Sequence, residues 1–407
     1  MSRAAAARVG GFHAALARVF LLLLFACARE SGSSRPVAEV DTLSNGGIRV
    51  RGPAQGVWRP EERWQLVEEL RLGRSDGGGP DVFGEVWDVT QDGAGRIYVI
   101  DRQAKDVRVF TATGQHVRTL GRPGEGPGEF VEPFSFAWDP AGRLWVVDVR
   151  LARYTVFDTA GSIRHTYGRR VGGFSWPWPG RFDRQGTLYE PSFFAGGVRP
   201  LIAFRVDSLE LVAVDTFPRA LDMPAGSDFW DLRDNRGIGT IARIPFGRTT
   251  EWVLDDSARV WLGASGEYRL VQRTLAGDTL RVIEREVAAP PVAEAERNEA
   301  IAGLTDAVRR HPKLDLSRIP ASKPFFDRLI PDAAGRLWVL REGAGDAWGF
   351  DVFDERGWFL GVVDLPFKPE LFPPPRIGEQ AMLVVTRDSL DVPSIVRLRI
   401  ERGSGPH

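Results

Sequence analysis

Few residues in this chain could do covalent or metal chemistry. It has five histidines, His13, His116, His165, His311 and His407, and one cysteine, Cys27. His13 falls in the N-terminal segment, His407 is the last residue, and His116 and His165 lie in runs that read as outer strands, which leaves only His311 in a long loop. A zinc site needs several ligands converging on one point, and these spacings supply no such set. No GxSxG, P-loop or paired-cysteine motif occurs. The string GEGPG at 124–128 does not open a helix, as a phosphate-cradling loop does. Carboxylates are plentiful, so composition leaves a Ca²⁺ held by Asp and Glu open, although no motif specifies one and no cofactor is expected. The remaining candidates are binding groups. Arg74, Arg122 and Arg169 each follow a glycine that ends a strand-like run. They either meet a ligand or make a contact that the repeat itself encodes. Trp176, Trp178 and Trp230 stand in loop segments, where they either stack on a sugar or peptide or pack beneath the loops. Lys323 and Arg328 flank and enter the run FFDRLI.

The elements that position these residues come from a repeat. GRIYV at Gly95–Val99 returns as GRLWV from Gly142, GTLY from Gly186, ARVWL from Ala258 and GRLWV from Gly335, with a weaker copy, AMLVV, from Ala381. The clear copies each follow an Asp-containing turn (QDGAG, DPAG, DRQG, DDSA, DAAG), where Asp and Gly supply tight-hairpin chemistry. Around the first copy, EVWDV, RIYVID, DVRVF and HVRTL give four short alternating strands. Successive copies are 47, 44, 72, 77 and 46 residues apart. About 45 residues make one four-stranded blade, so the two long intervals carry insertions, at about 218–247 and 288–324. After Ala381 one strand remains, Ile395–Ile400, which leaves the sixth blade one strand short. WQLVEELRL at Trp64–Leu72 is its expected partner, because LGRSDGGGPDVF after it mirrors LGRPGEGPGEF after the fourth strand of blade one. The expected fold is all-β: a six-bladed β-propeller with an N-terminal strand closing the last blade and one short helical insertion. AEAERNEAIAGLTDAVRR is the helix, with Ile301, Leu304 and Val308 on one stripe.

LGRPGEGPGEF with Pro133 after it, together with the Gly-Arg-aromatic strands, resembles the NHL-repeat propellers, and most of all the exported bacterial six-bladed propellers of unassigned function. The resemblance runs from about Pro60 to Arg402. It implies the fold but not an activity, because this fold hosts binding proteins, scaffolds, lyases and lactonases. Amidating-lyase relatives hold zinc with several histidines, which this chain does not offer, whereas lactonase-like propellers use carboxylates around a divalent cation. The rigid repeat, the expected tether and the missing catalytic inventory point instead to a binding or scaffold propeller at the cell envelope that takes a peptide, glycan or protein. A carboxylate-metal hydrolase or lyase is the alternative. Strand-four-to-strand-one connections all emerge on one face, and that loop-rich face is where binding is expected. Lys323 and Arg328 would point toward the channel beneath it.

The ends carry address information. Arg3, Arg8 and Arg18 precede the apolar run Val19–Ala26, too short to span a bilayer, so residues 1–27 read as a signal peptide. Its end, Leu-Phe-Ala-Cys27, resembles a lipobox and marks Cys27 as the lipid anchor. Residues 28–57, rich in Ser, Gly and Pro, read as a flexible tether; 58–402 form the propeller and 403–407 a tail. Export and a lipid-held, monomeric domain follow as expectations. A net charge of −1 gives no electrostatic reason to expect nucleic acid.

Overall fold

The structure, a computed structural model, describes residues 38–403 except 53, 172–179, 193–199, 223–225, 233–240, 312–313 and 344–346. The expected anchor Cys27, the signal peptide and the rim tryptophans Trp176 and Trp178 therefore lie outside the described residues.

The chain opens with β1 (Glu39–Thr42), β2 (Ile48–Gly52) and β3 (Gln65–Leu72). Blade one is β4 (Val86–Gln91), β5 (Ile97–Asp101), β6 (Asp106–Phe110) and β7 (His116–Leu120); blade two is β8 (Pro133–Trp138), β9 (Leu144–Asp148), β10 (Arg153–Phe157) and β11 (Ile163–Gly168). Blade three is β12 (Arg181–Phe182), β13 (Thr187–Pro191), β14 (Leu201–Val206) and β15 (Leu211–Phe217). The hairpin β16 (Phe229–Asp231) and β17 (Ile241–Arg243) follows it. Blade four is β18 (Thr250–Leu254), β19 (Val260–Ala264), β20 (Arg269–Arg273) and β21 (Thr279–Arg285), and after it come α1 (Glu294–Gly303) and α2 (Thr305–Arg310). Blade five is β22 (Arg328–Pro331), β23 (Leu337–Glu342), β24 (Trp348–Phe353) and β25 (Phe359–Leu365). Blade six is β26 (Arg376–Ile377), β27 (Ala381–Arg387) and β28 (Pro393–Glu401), and β3 pairs antiparallel with β28 from Leu72↔Ile395 to Gln65↔Glu401. The protein is thus a six-bladed β-propeller closed by its N-terminal strand, as the repeat implied.

The repeat motif has a physical explanation in the turn between the first and second strands of blades one, two and five. Asp332 accepts the backbone N–H groups of Ala334 at 3.0 Å and Arg336 at 2.9 Å, the Arg336 Nε at 2.6 Å and the Trp338 indole N–H at 3.0 Å. Asp139 repeats every one of these contacts with Ala141, Arg143 and Trp145. Asp92 does so with Ala94, Arg96 and the Tyr98 hydroxyl. One carboxylate therefore folds the turn, orients the arginine and satisfies the polar tip of an aromatic residue that is otherwise buried between blades. The glycine of the motif is required by backbone geometry: Gly335 sits at φ +82°, in the left-handed region. Asp332→Ala would leave several donors without an acceptor beside fully buried Trp338. It is expected to cost about 2–4 kcal/mol, read as a lower denaturant midpoint at constant slope, with Asp332→Asn falling between.

Between blades the core is continuous. Tyr98, Ile100, Val107 and Phe130 of blade one and the loop after it pack against Phe136 and Val146 of blade two, all buried. Such faces, repeated round the ring, supply most of the apolar burial that stabilises the fold.

One expectation needs correction. Residues 39–52, within the expected tether of 28–57, form a hairpin whose second strand pairs in parallel with β21, and Val50 is fully buried. The cause is an Asn45-Gly46 turn, with Gly46 at φ +83° and Leu43 N–H bonded to Gly47 O, next to the alternating run IRVRG. Beyond it, Val57 and Trp58 donate their backbone N–H groups to Phe359 and Leu360 of β25. Residues 48–52 and 57–58 thus lie along the outer edges of blades four and five, before 65–72 complete blade six. The expected short helical insertion is present, as α1 and α2 divided at Leu304 next to Gly303. Its apolar stripe is used: Ile301 and Leu304 pack on Trp230, Ile244 and Ile319.

Candidate functional site

The first strands of all six blades surround a central channel of about 1290 Å³. Over blades four and five the two insertions join into one cap with its own small core. Trp230 of the first is buried there, and its indole N–H bonds to Asp315 O of the second at 3.0 Å. Arg297 of α1 donates to Ile319 O at 2.9 Å, and Lys323 ties α1 to blade five through Glu296 and through Glu342 at 2.8 Å. Phe229 and Arg243, direct partners across the β16–β17 hairpin, extend this cap into the channel wall.

Charged side chains in the channel link neighbouring blades. Arg376 of blade six holds Asp88 of blade one through two bonds of 2.6 and 2.9 Å from Nη2, and Asp88 also accepts the Ser135 hydroxyl and the Phe136 N–H of blade two. Arg181 of blade three reaches Asp256 in the first turn of blade four. Arg328 of blade five donates from Nη1 to Glu251 of blade four at 2.9 Å and from Nε to Leu371 O at 3.2 Å, while its guanidinium lies 4.1 Å from the Phe372 ring centroid. Its Nη2 is buried with no hydrogen-bond partner. Such pairs, formed between residues far apart in sequence, hold the inner ring together and place polar groups in a partly aromatic wall.

Two carboxyls at this mouth are displaced from their ordinary range. Burial raises the Glu251 carboxyl, opposed by the charges of Arg328 and Arg243. Burial also pushes Asp327 up to about 7, against Arg328 and with Glu342 and Glu251 adding to the rise. In the unfolded chain an aspartate titrates at about 3.9. The native state therefore keeps a proton that the unfolded state loses, and the stability this contributes is full below about pH 4 and lost as pH rises toward 7. Asp327→Asn is expected to flatten that slope and to raise the denaturant midpoint at pH 8 above that of the parent chain. A slope unchanged by the substitution would exclude Asp327 as its source.

Of the sequence candidates among the described residues, only Arg328 lines the channel. Arg74 and Arg122 are exposed and bridge within their own Gly-rich loops, Arg122 to Glu129 at 2.8 Å and Arg74 to Asp76 at 3.7 Å. Arg169 is buried and bonded to Glu190, which also accepts the Tyr154 hydroxyl, so it joins blades two and three. Trp230 is buried inside the cap, the packing alternative, and Lys323 is buried at its base rather than facing the channel. Each of these faces a carboxylate or an apolar neighbour, supplied by its own loop for Arg74 and Arg122 and by an adjacent element for the others. Sequence reasoning missed Asp88, Glu251, Asp327 and Arg243. A lone Asp inside the apolar inner strand VWDV was a usable signal for the first. Among the described residues, no group of three or more His, Cys, Asp or Glu is placed to hold a metal.

A family model described as a 6-bladed beta-propeller matches residues 83–166. No curated protein matches the sequence. Among solved structures, the chain is similar to a putative exported protein of Bacteroides fragilis (12% identity, 87% of this chain and 100% of that one, TM-score 0.47). It is also similar to virginiamycin B lyase of Staphylococcus aureus (11%, 83% and 99%, TM-score 0.42) and to a gluconolactonase of Xanthomonas campestris (12%, 78% and 86%, TM-score 0.39).

Proposed function

We propose that this propeller is a binding module of the bacterial envelope that takes a peptide, glycan or protein on its loop-rich face, over the mouth of the channel. The observation that carries this reading is the cap. Two insertions distant in sequence build one body whose Phe229 and Arg243 reach the channel wall beside Arg328. A rigid ring with a decorated mouth and a few convergent polar groups is the usual form of a ligand site. The test is a thermal-shift screen of the full chain against glycans and peptides. A ligand that raises the melting temperature, and loses that effect in Phe229→Ala, supports the reading; a shift indifferent to that substitution counts against it.

The envelope assignment rests on Arg3, Arg8 and Arg18, the short apolar run after them, and Cys27. Cys27→Ser is expected to move the protein from the membrane to the soluble fraction of cells expressing the full chain. Unchanged fractionation would remove the lipid anchor from this reading.

One observation favours the second reading, a carboxylate-based hydrolase or lyase. Asp327, titrating at about 7 beside the channel mouth, has the proton affinity a general acid or base needs. Stoichiometric Ca²⁺ or another divalent ion in the purified protein would favour this reading over simple binding.

A further inference from the structure

Two guanidinium groups at the capped mouth keep unused hydrogen-bonding capacity. Arg243 is exposed on β17, and its side chain has no ion pair or hydrogen bond among the described residues. The Arg328 side chain is only 7% exposed, yet its Nη2 is buried without a partner. Both line the same channel, and Glu251 couples them: it is bonded to Arg328 and near enough to Arg243 to feel its charge. Two guanidinium charges against one carboxylate leave one positive charge over. The surrounding wall includes Phe229, Phe372, Trp252 and Pro374.

Building on the channel-binding reading above, we propose that this mouth binds the carboxylate of a small acidic solute, a sugar acid or a peptide chain end. The carboxylate accepts from Arg243 and, once the Arg328 guanidinium turns its buried Nη2 toward the channel it lines, from Arg328, and the rest of the ligand lies against Phe229 and Phe372. Arginine suits this task because its planar fork matches a carboxylate. A single negative charge balances the surplus, whereas a phosphate dianion would add uncompensated charge next to the desolvated Glu251. Asp327 is faced by Arg328 on β22, Glu342 on β23 and Glu251 on β18. Its ionisation toward pH 8 removes the surplus, so binding weakens as pH rises.

The test is calorimetric titration of the full chain at pH 6 and pH 8 with galacturonate, galactose, a short peptide with a free C terminus, the same peptide amidated, and inorganic phosphate. The expected result is that galacturonate or the free peptide binds, and which of them does identifies the source of the carboxylate. Its neutral counterpart should be weaker by about tenfold or more, as for loss of a charged hydrogen bond. Affinity should fall between pH 6 and pH 8, and Arg243→Gln should weaken binding about tenfold without lowering the melting temperature, since Arg243 is exposed. Equal binding of the neutral compounds, tighter binding of phosphate, or indifference to Arg243→Gln overturns the carboxylate assignment. If a neutral compound binds and Phe229→Ala abolishes it, the channel reading survives that failure; if none of the five binds, the carboxylate assignment falls, and the wider screen decides the channel reading separately.

Discussion

Replacing Asp88 by alanine is expected to cost about 3–5 kcal/mol, the range for breaking a buried ion pair by removing one partner. The Asp88 side chain is only 2% exposed and joins three blades: it holds Arg376 of blade six, the Ser135 hydroxyl and the Phe136 N–H of blade two, and the Val89 N–H of its own strand. Alanine removes the acceptor of a guanidinium, a hydroxyl and two backbone N–H groups at the centre of the ring. The Arg376 side chain is 35% exposed and recovers some hydration, which places the cost toward the lower end. Removing both partners, Asp88→Ala with Arg376→Leu, should cost less than the sum of the single substitutions, because no unpaired charge is left behind. The measurement is a double-mutant cycle from denaturant midpoints at constant slope. Additive losses would show that the two residues act independently, contrary to their geometry.

A chain beginning at Gly73 is expected to yield no folded monomer. Such a chain lacks β3, which spans seven register pairs with β28 from Leu72↔Ile395 to Gln65↔Glu401, and it lacks Trp64, buried against Trp338. The full-length pairing partner Pro393–Glu401 becomes an open edge, a template for association with another chain. The loss exceeds the roughly 5–15 kcal/mol by which domains are stable. A chain beginning at Val57 loses only the β1–β2 hairpin and is expected to remain folded with a lower midpoint. Size-exclusion chromatography and circular dichroism of the two truncations separate these outcomes. A monodisperse, β-rich chain starting at Gly73 would show that closure by β3 is dispensable.

What the sequence disclosed depended on how local the physics was. The Asp-x-x-Gly-Arg-x-Trp turn is legible because Asp332 meets all its partners within six residues. From that turn came the blades, their number and, by counting strands, the closing role of Trp64–Leu72. The site was not legible in the same way. Asp88 and Arg376 are 288 positions apart, and Glu251 and Arg328 are 77 apart. Nothing in either local pattern specifies the other. The cap was half visible: the stripe Ile301, Leu304 marked an apolar helix face, but its partner Trp230 lies in the other insertion. Repetition also misled. Arg74, Arg122 and Arg169 share a position after glycine, yet the first two bridge within exposed loops while the third is buried on Glu190. The hairpin at 39–52 was hidden because its binding edge, β21, pairs in parallel, and a parallel partner leaves no turn in the sequence to announce it.

The run of pairings from β1 to β3 also sets how the molecule carries load. Tension entering through the N-terminal segment cannot reach the closing seam directly. By connectivity alone it must detach β1 from β2, then β2 from β21, then Val57 and Trp58 from β25, before β3 can leave β28. The first three are peripheral and can re-form while the ring stays shut, so they act as sacrificial fasteners in series. A propeller pulled from this end would lengthen in small reversible steps while its channel and cap kept their shape.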